Sequence, residues 1–262
     1  MNDILVNIAA NLENMYMDKY VDEEFLKWIF DEVVDFLGIR EHVVNGFTFG
    51  GESPMLLACG GYDSVNKRIQ FFDLSLPMAR NTVHNQMKIT DKKSSIIATN
   101  ILMVGTLLHE IEHANQKKKV NDGSFEGYIL SLEEGNTETI STYDYIPSER
   151  FAENIALGQV KTILNNMSVI MPDIEDYIEK RRNHWIIKGY VDEHNECMIP
   201  ALKRYTDVHD IKFSNIDLDE ALLTYPSLDD RLFYGLPITD DEYFMIREKA
   251  GLDNSKKPYS LW

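Results

Sequence analysis

Residues 96–113 read IIATNILMVGTLLHEIEH and contain the most apolar run of this 262-residue chain. Apolar side chains recur in it at helical spacing, which predicts one long helix from residue 94 or 95 to residue 117. The apolar part covers only residues 96–108 and includes Thr99, Asn100 and Thr106. It is therefore too short and too polar to cross a bilayer of about 30 Å, and we expect a buried helix.

The end of this stretch, His109-Glu110-Ile111-Glu112-His113, matches the pattern HExxH. Residues i and i+4 of a helix lie on the same face, so both imidazoles can bind one Zn²⁺ ion at about 2.0–2.1 Å. Glu110 is placed to act as general base toward a zinc-activated water that attacks a peptide carbonyl. Glu112 occupies a position that stricter forms of the pattern leave uncharged. The alternative interpretation is that two helical histidines make ordinary hydrogen bonds.

Local patterns on either side of this helix predict an α+β protein. Helical spacing in residues 1–40 indicates two helices, the second of which follows Asp22 as its N-cap. Two short apolar runs, residues 55–62 and 67–72, flank the polar residues 63–66, which is typical of a β-hairpin. We therefore expect a small antiparallel or mixed sheet packed on the long helix.

Helical patterns dominate the C-terminal half of the chain. One helix is predicted to begin with Ser148 as its N-cap, directly after Pro147. Further helices are predicted over residues 172–188, 192–204 and 240–250. Because no convincing linker divides the chain, we expect a single unit over residues 1–262, with a catalytic core over 1–165 and a helical subdomain over 166–262.

Composition excludes several classes of function. A formal net charge of -17 and a pI near 4.8 argue against nucleic acid as a partner, because phosphate binding depends on clustered Lys and Arg. The N-terminus lacks the basic and apolar stretches of a secretory signal. Cys59 and Cys197 have neither CxxC spacing nor the density of a disulfide scaffold. We therefore expect a cytoplasmic protein that binds no membrane, and its oligomeric state stays open.

A second motif begins 36 residues after His113 and reads Glu149-Arg150-Phe151-Ala152-Glu153. Together the two motifs resemble those of gluzincin peptidases, in which an ExxxD or ExxAD helix supplies the third zinc ligand. The last residue here is Glu instead of Asp. Residues 61–69 also resemble the hairpin of ImmA/IrrE-type peptidases. These similarities cover roughly residues 55–165.

The resemblance implies a zincin-like fold with zinc held by His109, His113 and Glu149. It also implies that Glu153 orients a ligand histidine, since such partners fix the tautomer and raise the basicity of the ligand. The alternative for Glu149 is that an acidic residue in a first helical turn complements the helix dipole. Glu133 has the shorter spacing of some gluzincins, but a Gly-containing loop after it would hold a ligand less rigidly.

The leading hypothesis is therefore a zinc-dependent peptidase that hydrolyses a protein or peptide substrate. The alternative is a non-catalytic zincin-fold module that binds a protein partner or regulates one. The sequence is compatible with this alternative because it does not identify the donor that would stabilise the oxyanion of the tetrahedral intermediate. The conceivable donors are Tyr143, Tyr145, His184, His194, His209, Arg231 and Tyr234.

Overall fold

The computed structural model describes residues 1–52, 58–122 and 147–183, with short pieces at 218–224, 226–227, 239, 241–242 and 245. The chain forms two compact units, residues 1–123 with 152–180, and residues 124–151 with 181–262. The boundary between residues 151 and 152 falls inside one continuous helix, Pro147–Asn165. The predicted catalytic core over 1–165 and subdomain over 166–262 concern function and stay a prediction.

The described elements confirm an α+β protein that is mostly helical and contains one small mixed sheet. The helices are α1 (Asn2–Met15), α2 (Glu23–Leu37), α3 (Ser75–Asn85), α4 (Lys92–Asn121), α5 (Pro147–Asn165), α6 (Pro172–Asn183) and α7 (Leu218–Thr224). The strands are β1 (Gly46–Phe49), β2 (Gly60–Asp63) and β3 (Arg68–Phe71). Predicted helical residues 184–188 and 192–204 lie outside the described residues.

The sheet has the strand order β1-β3-β2, with β1 parallel and β2 antiparallel to β3. The predicted hairpin is confirmed in β2 and β3. The carboxylate of Asp63 accepts hydrogen bonds from the backbone N–H groups of Val65 and Asn66 at 3.0 and 2.9 Å, which closes the turn. Residues 55–57 of the predicted first run lie outside the described residues. Both β2 and β3 pack against α4.

Helix α4 is longer than the sequence predicts. It begins at Lys92 because Asp91 is its N-cap and accepts a hydrogen bond from the backbone N–H of Ser94 at 2.8 Å. The predicted start at residue 94 or 95 and end at 117 are therefore wrong by a few residues. By length and composition α4 could cross a membrane, but 67% of its most apolar window is buried inside the protein. The prediction of a buried core helix is confirmed.

The start of α5 also differs from the prediction. Pro147 is its first helical residue, so Ser148 lies inside the helix and is not its N-cap. The physical reason is that proline suits the first helical position, where its missing N–H has no partner to lose. The N-cap prediction for α2 is confirmed, since Asp22 accepts a hydrogen bond from the backbone N–H of Phe25 at 3.0 Å.

A buried polar residue fixes the α1–α2 connection to α4. Asn100 is 1% exposed. Its Nδ2 donates to the carbonyl oxygens of Tyr16 and Lys19 at 2.9 and 3.0 Å, and its Oδ1 accepts from the backbone N–H of Val21 at 2.9 Å. One side chain therefore satisfies three backbone groups of the segment that leads into α2.

Replacing Asn100 by leucine is expected to lower the free energy of unfolding by about 3 kcal/mol, because three buried or partly buried backbone groups lose their partner. Urea unfolding measures this change. Asn85→Leu is the matched control at an exposed position of α3, with an expected change below about 0.5 kcal/mol. Equal stability of the two variants would contradict this role for Asn100.

Candidate metal centre

Helix α4 brings the two histidines of the HExxH motif together. His109 and His113 are one helical turn apart, and their Nε2 atoms lie 3.0 Å from each other. The ring planes are nearly perpendicular, at 83°. This is the same-face arrangement predicted from the i, i+4 spacing.

Each imidazole also has a hydrogen-bond acceptor facing its other ring nitrogen. Gln116 Oε1 lies 3.0 Å from His113 Nδ1, and Glu153 Oε2 lies 3.4 Å from His109 Nδ1. The second distance is longer than an ordinary hydrogen bond and corresponds to an ion pair only when His109 is protonated. Gln116 and Glu153 are both buried. The amide oxygen of Gln116 favours the His113 tautomer in which Nδ1 carries the proton and Nε2 presents its lone pair.

The electrostatics of the two Nε2 atoms follow from these contacts. When both Nδ1 atoms are protonated, the lone pairs of the two Nε2 atoms face each other across 3.0 Å. Such an arrangement is repulsive unless the two nitrogen atoms share a cation, either a proton or a metal ion. Neutral imidazole nitrogen is the form of histidine that binds metal ions. The pair of ring nitrogens therefore fits a metal ion of the zinc type.

Helix α5 contacts α4 at two points that lie in opposite order along the two helices: Val160 faces Gly105, and Glu153 lies near His109. A Cβ atom on Gly105 would lie 3.1 Å from Val160 Cγ2, so the glycine is what lets α5 approach this closely. One turn further along α4, His109 contacts Glu153, which lies nearer the start of α5. The first turn of α5 precedes Glu153 in the chain.

Glu149 lies in that first turn. The ligand atoms of His109, His113 and Glu149 all lie within 4.8 Å of one another, and the three side chains are half-buried. In a tetrahedral zinc site with ligand distances of about 2.0–2.1 Å, ligand atoms are about 3.3 Å apart. Two imidazoles and one carboxylate are a donor set that suits zinc.

Glu110, the proposed base, is fixed by the sheet. Its side chain is 8% exposed and packs over Gly60, the first residue of β2. A Cβ atom at Gly60 would lie 3.0 Å from Glu110 Cγ and 3.2 Å from its Oε1. The absence of a side chain at Gly60 therefore makes the space that the Glu110 carboxylate needs.

Glu112, the residue that departs from stricter forms of the motif, has partners of its own on α4. Lys119 Nζ lies 2.8 Å from Glu112 Oε1, and Asn115 Nδ2 donates to its Oε1 and Oε2 at 3.2 and 3.0 Å. The carboxylate is 4% exposed. A buried charge requires such pairing, so the charge at Glu112 is compensated within the helix.

Sequence reasoning missed Gln116 and Gly60. Gln116 could have been found from its position three residues after His113, because residues three apart on a helix are neighbours. The contact of Gly60 with Glu110 joins positions 50 residues apart, and no local pattern indicates it. The other predicted candidates lie outside the described residues: Glu133, Tyr143, Tyr145, His184, His194, His209, Arg231 and Tyr234.

Comparisons of this chain with protein-family models, with curated proteins and with solved structures find no match. The resemblance to gluzincin peptidases and to the ImmA/IrrE-type hairpin therefore remains a prediction from the sequence. The grouping of His109 and His113 with the carboxylate of Glu149 makes a candidate metal site.

Proposed function

We propose that this chain is a zinc-dependent peptidase of the zincin type, with zinc held by His109, His113 and Glu149. The observation that carries the proposal is the pair of Nε2 atoms at 3.0 Å, with Gln116 hydrogen-bonded to His113 Nδ1 and the Glu153 carboxylate 3.4 Å from His109 Nδ1. The carboxylate of Glu149 in the same cluster supports a three-ligand set. Three protein ligands with an open fourth position are typical of catalytic rather than structural zinc sites.

Zinc bound in this set would act as a Lewis acid and lower the pKa of a water in the fourth position. Glu110, adjacent to the first ligand, then serves as general base and takes a proton from the attacking water. The same carboxylate delivers that proton to the leaving nitrogen of the peptide bond. Its burial against Gly60 limits the positions it can occupy, which favours proton transfer along one path.

The position of β2 supports a peptide as the substrate. In the described sheet β2 lies at the edge and pairs with β3 alone. An edge strand presents N–H and C=O groups to which an extended peptide can pair. Because the first residue of β2 contacts Glu110, a peptide bound along this edge would pass beside the proposed base.

Replacing Gly60 by alanine is expected to lower kcat/KM by about 10–100-fold, because the new methyl group displaces Glu110, and misplacement of about 1 Å has such costs. Zinc content should not change, since the substitution leaves the histidines in place. Peptide cleavage and metal analysis on the same sample measure both quantities.

Gly61→Ala is the matched control for this prediction. A Cβ atom there meets the Phe72 ring at 3.6 Å, which is an ordinary van der Waals contact. The control should lose much less activity than Gly60→Ala. Equal losses in the two variants would contradict the idea that Gly60 makes room for the base.

The third ligand can be identified from the order of three glutamate variants. Glu149→Ala is expected to weaken zinc binding most, because it removes a ligand. Glu153→Ala should weaken it by about 10–100-fold, the usual cost of losing the partner that orients a ligand histidine. Glu133→Ala should have little effect and serves as the control. A dominant loss at Glu133, measured with a chromophoric chelator as competitor, would refute this assignment.

Cleavage of unfolded casein with and without chelator tests the peptidase proposal. The wild-type chain should cleave casein, lose this activity in chelator and regain it when zinc is returned. Glu110→Gln prepared in parallel shows that no contaminating peptidase is responsible. A zinc-loaded chain that cleaves neither casein nor short peptides would overturn the proposal and favour the non-catalytic binding module.

A further inference from the structure

We propose that Gln116 is a positioning residue that selects the tautomer of His113 and so prepares its Nε2 to bind zinc. The inference rests on the proposed function for the identity of the metal. Gln116 is 5% exposed, and its Oε1 lies 3.0 Å from His113 Nδ1. An amide oxygen only accepts hydrogen bonds, so this contact favours the tautomer with the proton on His113 Nδ1.

Helix geometry explains why this residue can reach the ring. Gln116 is three residues after His113, which places the two side chains on neighbouring positions of the same face. Helix α4 continues to Asn121, so the turn that carries Gln116 is fully helical. The contact is therefore local to α4 and requires no residue from another element.

The nearby carboxylate of Glu112 is engaged elsewhere. It accepts hydrogen bonds from Asn115 and pairs with Lys119 at 2.8 Å. The side chain that contacts His113 Nδ1 is therefore the neutral amide of Gln116.

A neutral acceptor at this position has an electrostatic consequence. The centre already contains the carboxylates of Glu110, Glu149 and Glu153, and two of these are buried. A glutamate in place of Gln116 would add a further negative charge close to them, at a cost in desolvation and repulsion. The amide fixes the tautomer without that cost. His109, by contrast, is backed by the carboxylate of Glu153.

The first test is the tautomer of His113 in the zinc-free protein, read from imidazole ¹⁵N NMR shifts above the pKa of histidine. The His113 signals are assigned as those missing from His113→Ala. The wild-type ring should carry its proton on Nδ1. Gln116→Met, which fills similar volume but accepts no strong hydrogen bond, should shift the population toward the Nε2-protonated form. Gln116→Glu restores an acceptor and should restore the Nδ1-protonated form.

The second test is zinc affinity, measured by competition with a chromophoric chelator. Gln116→Met should bind zinc about 10–100-fold more weakly than wild type, and Gln116→Glu should recover most of this loss. Gln86→Met, at an exposed position after α3, is the control and should bind zinc as wild type does. A purely structural role for Gln116 would change the melting temperature and leave both tautomer and affinity unchanged.

The outcomes separate this inference from the proposed function. An Nε2-protonated His113 in the wild type, or an unchanged tautomer and affinity in Gln116→Met, would overturn the inference alone. A wild-type chain that binds no zinc would overturn the proposed function, and the NMR result would still decide the role of Gln116. If Gln116→Met fails to fold, Gln116→Asn keeps the amide but is too short to reach, and should show the same shift.

Discussion

Replacing Glu110 by glutamine is expected to lower kcat by at least about 10²-fold, the usual scale for loss of a general base. The amide is nearly isosteric with the carboxylate, so it fits over Gly60 as the wild-type side chain does. It cannot accept the proton from the attacking water. Zinc content should stay at one ion per chain, because Glu110 is not among the proposed ligands. Casein cleavage and metal analysis of the same preparation measure the two effects.

Glu112→Gln is the matched control for this prediction, since it makes the same chemical change two residues further along α4. It removes the charge that pairs with Lys119 and is expected to lower stability. The kcat of the folded fraction should stay within a few-fold of wild type. Full activity in Glu110→Gln, or equal loss in the two variants, would contradict the role of Glu110 as the base.

The largest expected effect on metal binding comes from His113→Ala. The variant keeps only His109 and Glu149, and two protein ligands hold Zn²⁺ poorly. Apparent binding free energies of about 10–16 kcal/mol are shared among four ligands in structural zinc sites, so loss of one ligand weakens affinity by about 10²–10³-fold or more. Competition with a chromophoric chelator measures this change.

His84→Ala is the control for metal binding. His84 is exposed on α3 and belongs to no described group that could hold a metal ion. This variant should bind zinc as wild type does. If His113→Ala kept wild-type affinity, or if His84→Ala lost as much, the metal would have to bind elsewhere in the chain.

Parts of the fold that depend on local signals could be predicted from the sequence. Apolar spacing and the cap at Asp22 define α2, and the side-chain hydrogen bonds of Asp63 define the turn between β2 and β3. The i, i+4 spacing of His109 and His113 places their rings together because α4 is regular through both positions. In each case the deciding interaction joins residues only a few positions apart.

The parts that were missed lack such signals. Strand β1 is four residues long and pairs in parallel with β3, so its structure depends on a distant partner. Helix α3 buries Ser75, Ala79 and Val83, whose small side chains at four-residue spacing make a weak apolar stripe. Its N-terminus has no side-chain cap.

The candidate site shows the same contrast. The positions of the two proposed ligand histidines can be predicted from one helix. The space for Glu110, by contrast, depends on Gly60 in the sheet. The approach of α5 depends on Gly105, whose contact with Val160 is likewise non-local. A sequence pattern therefore indicates the proposed metal-binding residues, but the packing that orients them arises only when distant elements meet.

The metal content of the wild-type chain, purified without chelators and compared with His109→Ala prepared identically, tests the central claim most directly. His109→Ala removes a proposed ligand, since its Nε2 lies 3.0 Å from that of His113. We predict one zinc ion per wild-type chain and much less than one per His109→Ala chain. Wild-type protein without stoichiometric zinc, or equal zinc in both proteins, would contradict a zinc centre on the HExxH helix.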